Sequence, residues 1–85
     1  MAGPLTPELI QAEIMRQVAA RGAGRSICPS EVARALAPEA WRPLMSPVRK
    51  EAAALAADGR LDILRKGKPI APEAMRGVIR LAAKP

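Results

Sequence analysis

Proline governs what this chain can become, because nine of them are spread through 85 residues and most stand where a helix can begin. The first helical position suits proline: its missing N–H has no intrahelical partner there, and its φ is already helical. Thr6-Pro7-Glu8 reads as an N-cap, a first helical residue and a carboxylate facing the positive end of the helix dipole. The same order recurs at Cys28-Pro29-Ser30-Glu31, Ala37-Pro38-Glu39, Ser46-Pro47 and Ala71-Pro72-Glu73. Gly22, Gly59 and Gly77 stand where the matching helices should stop. A chain divided in this way is limited to short elements.

Periodicity fills the intervals. Ile10, Ile14 and Val18 recur every four residues, with Leu9 and Met15 beside them, and predict a helix over 7–21. A second helix is predicted over 29–37, burying Val32, Ala33 and Leu36, and a third over 47–58, burying Val48, Ala52, Leu55 and Ala56. Trp41 falls in a turn or loop over 38–45, where with Leu44 and Met45 it should close the gap between those two helices. After Gly59 the period shortens. Residues 60–66 alternate as a half-buried strand with Leu61 and Ile63 inward, and Gly67-Lys68-Pro69 reads as its end. Val78-Ile79-Arg80-Leu81 reads as a second strand, joined to the first by a connection over 67–77. A further short strand would fall near Arg25-Ser26-Ile27, with only Ile27 to support it. The expected fold is mainly α with a small β-hairpin: a winged helix-turn-helix of three helices plus a two-stranded wing over 7–82, between tails at 1–6 and 83–85.

Composition narrows the chemistry. Eighteen of the 42 hydrophobic residues are alanine, and there is no Phe or Tyr, which favours helices packed through Leu, Ile and Ala. With no His and one Cys, the residues that most often do acid–base chemistry near pH 7 or bind zinc are missing. No Gly-rich phosphate loop, paired carboxylates or nucleophile constellation is visible, so neither an enzyme nor a cofactor is expected. One cysteine forms no internal disulfide, the amino-terminal residues do not read as a secretory signal, and no apolar run approaches the roughly 20 residues of a membrane helix. A cytoplasmic protein without membrane contact is expected.

The net charge is +6, and its distribution is uneven. Residues 1–40 hold four basic and four acidic residues; residues 41–85 hold ten basic and four acidic. Solubility does not need that separation, and an anionic partner would account for it.

Ile27-Cys28-Pro29-Ser30-Glu31-Val32-Ala33-Arg34-Ala35-Leu36, Trp41-Arg42-Pro43-Leu44-Met45, Ala57-Asp58-Gly59-Arg60-Leu61 and Arg76-Gly77-Val78-Ile79-Arg80 carry a family resemblance. Over residues 8–82 the chain resembles a small bacterial family known as a domain of unknown function and assigned a winged-helix fold. The resemblance implies the fold and no activity.

Two places are candidates for contact with nucleic acid, duplex DNA first. The outward side of the third helix holds Ser46, Arg49, Lys50, Ala53 and Ala57; Arg49 and Lys50 would reach phosphates or guanine edges, and the alanines would permit close approach. The wing holds Arg65, Lys66 and Lys68, with Arg76 and Arg80 on the return, five cations suited to phosphate. The plainer alternatives are solvated surfaces, with Arg80 paired across the strands to Asp62. With so few base-reading side chains, weak sequence specificity is expected. The rival reading is a protein-interaction or homodimerisation module that packs a partner on Ala53, Ala54 and Ala57. Cys28, at a helix N-cap near Arg25, is expected to be a half-buried cap residue, with a raised thiol reactivity as the alternative.

Overall fold

A computed structural model describes residues 5–85. Helix α1 spans Pro7–Arg21; Leu9 N–H donates to Thr6 Oγ1 at 3.2 Å, closing its first turn, and Gly22 ends it at a positive φ of 96°. Helix α2 spans Pro29–Leu36 behind Cys28. A 3₁₀ turn, Arg42–Leu44, runs directly into helix α3, Met45–Ala57. Because that turn supplies the entry, α3 begins two residues before Pro47, and Ser46 lies inside the helix instead of capping it. Pro47 still sits in the first turn, where no intrahelical acceptor awaits its N–H. At the other end Gly59 N–H donates to Ala56 O and Arg60 N–H to Leu55 O, both at 3.0 Å. This is a Schellman closure, and Gly59 occupies its left-handed position at φ 76°.

The described residues hold four strands, the expected pair, the short strand near Ile27 and one more, which makes the fold mixed α/β and not mainly α with a two-stranded wing. Strands β1 (Ser26–Ile27), β2 (Leu61–Arg65), β3 (Lys68–Ile70) and β4 (Arg80–Ala83) form one antiparallel sheet in the order β1-β4-β2-β3. β1 is only two residues long, and β4 reaches Ala83, inside the segment read as a tail. Of the segment 1–6, residues 1–4 lie outside the described residues.

β3 lies where the sequence reads as a break. Lys66 and Gly67 have φ values of 52° and 79°, the two positive positions that a two-residue type I′ turn requires. The chain therefore reverses at once, and Lys68 pairs with Arg65, Pro69 with Leu64 and Ile70 with Ile63. Antiparallel pairs alternate between hydrogen-bonded and non-hydrogen-bonded types, and the pair flanking a two-residue turn is hydrogen-bonded. The pair Leu64–Pro69 is then of the other type, and β3 is an edge strand, so proline's missing N–H costs the ladder nothing. Beyond β3, Pro72–Ala74 forms a short 3₁₀ turn and not a helix. Ala37-Pro38-Glu39 starts no helix either.

The helices cover one face of the sheet. Ile14 and Val18 of α1, Val32 of α2 and Val48 and Leu55 of α3 bury against Ile27, Leu61, Ile63, Ile79 and Leu81. Strand side chains alternate between faces, so Leu64 and Arg80, which are paired between β2 and β4, point away from the helices. That second face carries no helix among the described residues.

Candidate nucleic-acid interface

The outward side of α3 is a stripe four residues apart: Ser46, Lys50 and Ala54 are exposed, with Ala57 beyond them. Arg49 and Ala53 flank it half-buried. Arg49 leans off the stripe, and its Nη1 donates to Gly77 O at 3.1 Å, tying the helix to the loop before β4. Lys50 is thus the single cation of the expected pair that stands free on the stripe. The inward side carries a carboxylate among the apolar residues. Glu51 is buried, and its Oε1 accepts from Gln11 Nε2 of α1 at 2.8 Å. Its spacing of three from Val48 and four from Leu55 was the signal that it faces inward.

The hairpin gathers a larger share of the charge. Arg65, Lys66 and Lys68 are exposed around the β2–β3 turn. Arg65, Lys66 and Arg80 line one open groove of about 500 Å³ on the uncovered face of the sheet, together with Ser26, Leu64 and Val78. Val78 is 86% exposed at its edge, an apolar side chain left bare beside three cations. Arg76 is exposed in the loop that Arg49 holds. The seven cations do not converge on one point. Three line the groove, Lys68 stands across the hairpin from Arg65, Arg49 and Arg76 meet at the Gly77 loop, and Lys50 stands alone.

Arg80 does not pair with Asp62 as the plainer alternative had it. Its Nε donates to Ser26 Oγ at 2.7 Å and its Nη2 to Ser26 O at 3.0 Å. Register explains the change of partner: Leu64 lies opposite Arg80, while Asp62 lies opposite Ala82 and pairs with Lys84 at 3.5 Å. Ser26 O accepts a second guanidinium, Arg21 Nη1 at 2.8 Å, and Arg21 Nη2 reaches Glu31 Oε1 at 2.6 Å. Glu31 Oε2 accepts from Cys28 N–H at 2.8 Å. That backbone bond, with Arg21 and the more distant charge of Arg80 added, holds the Glu31 carboxyl below its ordinary range. Cys28 itself is half-buried, and Ser30 Oγ lies 3.1 Å from its Sγ.

Comparison with known families bears on this arrangement. A family described as "Protein of unknown function (DUF3253)" matches residues 7–84. The chain belongs to that family. No curated protein matches it. The DUF3253 description carries no activity, so the reading of this domain rests on its own residues. Among those described, no three His, Cys, Asp or Glu side chains gather as a metal site requires. No helix among the described residues is long and apolar enough to cross a membrane. One cluster in this DUF3253 domain escaped the sequence reading. Arg34 and Arg42 bring their guanidinium carbons to 4.3 and 4.6 Å from the centre of the Trp41 ring. Trp41 does pack on the core, but it is half-buried, and these two arginines occupy its exposed surface.

Proposed function

We propose that this domain binds nucleic acid, duplex DNA with weak sequence preference, as a cytoplasmic winged-helix module. The observation that carries the proposal is the unpaired charge. Among the described residues the ion pairs are Arg16–Glu13, Arg21–Glu31 and Lys84–Asp62, and none includes Arg49, Lys50, Arg65, Lys66, Lys68, Arg76 or Arg80. Of the four acidic residues in the second half, Glu51 is buried and Asp62 is engaged by Lys84. No carboxylate of the described residues forms an ion pair with these seven cations, as suits a phosphate-binding surface. The chain order α1-β1-α2-α3-β2 followed by a basic hairpin and β4 supports the winged-helix reading. α3 would take the recognition position and the β2–β3 turn would reach the backbone beside it. The near-absence of base-reading groups on α3 supports backbone contact over sequence readout.

Fluorescence anisotropy with labelled random duplex DNA, random RNA duplex and single strands, each at several salt concentrations, tests the proposal. The expected result is tight binding to duplex DNA at low salt that weakens linearly on a log–log plot. No binding at low salt overturns it. Light scattering separates the rival: an obligate dimer that covers α3 would leave no helix for a groove.

A further inference from the structure

We propose that Arg34 and Arg42, both held on the Trp41 indole, form a second phosphate-binding pair at the amino-terminal end of α3. This rests on the nucleic-acid reading and adds residues that the charge count of the second half does not single out.

Arg34 is exposed on the last turn of α2 and Arg42 in the turn that enters α3. With guanidinium carbons 4.3 and 4.6 Å from one ring centre, the two can be no farther apart than those distances laid end to end. Their separation is on the order of the ~8 Å screening length of physiological salt, so they repel. Neither joins an ion pair among the described residues. Two cations thus share one indole ring with no carboxylate of the described residues in an ion pair with either, which leaves both available to an anion. A guanidinium stacked flat on an indole keeps its N–H edge free, the geometry for bidentate phosphate contact.

The position fits the same partner. The turn Arg42–Leu44 runs unbroken into α3, so Arg42, Ser46, Lys50 and Ala54 stand four residues apart, and all are exposed. Arg42 stands exposed in the turn that enters α3, just before the stripe begins, and Trp41 brings Arg34 near it.

Trp41 provides the test, because it is the single Trp in a chain with no Tyr or Phe. Titration with random duplex DNA should change its emission in step with anisotropy. Arg34→Gln and Arg42→Gln should each reduce the salt slope by about one unit. Trp41→Leu keeps both charges, and it should weaken binding several-fold with the slope unchanged, since only pre-organisation is lost. Arg34→Lys and Arg42→Lys should keep the slope and still bind more weakly, and they remain informative if a neutral variant fails to fold. Unchanged slopes and silent Trp41 emission, with Lys66→Ala still weakening binding, would overturn the pair and leave the broader proposal intact. Failure of the unaltered protein to bind duplex at low salt would remove both.

Discussion

The two halves of this small domain use arginine differently. In the first half, Arg16 is bound to Glu13 and Arg21 to both Glu31 and the Ser26 carbonyl, so those cations are spent on the scaffold. In the second half, Lys50, Arg65, Lys66, Lys68 and Arg76 stand in solvent without an ion pair among the described residues. The same residue types thus hold the fold at Arg16 and Arg21 and are left available at these five second-half positions. Exposed ion pairs add little stability, so charge is free to be placed for a partner wherever the core already suffices.

The strongest way to break the comparison is to remove the core both halves share. Ile14 is fully buried against the sheet. Ile14→Ala should cost about 2–5 kcal/mol through lost burial and the cavity left behind. Chemical denaturation measures it. In the fraction that remains folded, the salt slope of DNA binding should be unchanged, because no cation has moved.

Next comes the basic hairpin. Lys66→Ala with Lys68→Ala should leave stability within about 0.5 kcal/mol, since both are exposed. Lys66 holds a positive φ, and Ala there adds a small strain, so Lys66→Asn serves as the matched control. If both lysines meet phosphate, the slope falls by about two units, roughly 60-fold in affinity near 0.1 M salt. Equal affinities for wild type and double variant would mean that the hairpin is merely solvated.

A smaller effect tests the first half. Glu31→Ala removes the acceptor for Cys28 N–H and the partner of Arg21, and should cost about 1 kcal/mol at pH 7. Because the folded state lowers the Glu31 pKa, its contribution is full above the ordinary value of 4.5 and is lost as pH falls through the lowered one. Melting temperatures of wild type and variant should therefore converge in acid. Glu13, lowered chiefly by its bond to Arg16, adds to the same acid sensitivity in wild type and variant alike.

How much of this was legible follows from which physics is local. Caps, proline starts and apolar spacing are set within a few residues, so α1 and α2 could be read from Pro7, Pro29 and the Ile10-Ile14-Val18 repeat. Strand pairing is not local. Pro69 looks like a breaker until its place on an edge and its register against Leu64 are known, while the two-residue β1 falls where Ile27 alone pointed to a short strand. Register likewise gave Arg80 to Ser26 instead of Asp62. The cluster at Trp41 was hidden for a related reason. Arg34 lies in the charge-balanced half, and only the turn after α2 carries it across to Arg42.

Arg49 is the residue on which the comparison between halves turns most finely. It belongs by sequence to the free cations, yet its Nη1 holds the Gly77 carbonyl, which is scaffold work of the kind Arg21 does. That bond is exposed, so Arg49→Gln should cost only about 0.5–1 kcal/mol. The loop it restrains carries Arg76, and freeing that loop lets Arg76 spread over more positions. DNA affinity should therefore fall modestly, with a smaller change in salt slope than Lys66→Ala produces. A full unit lost from the slope, without loss of thermal stability, would move Arg49 to the free set and show that it leaves Gly77 to meet phosphate.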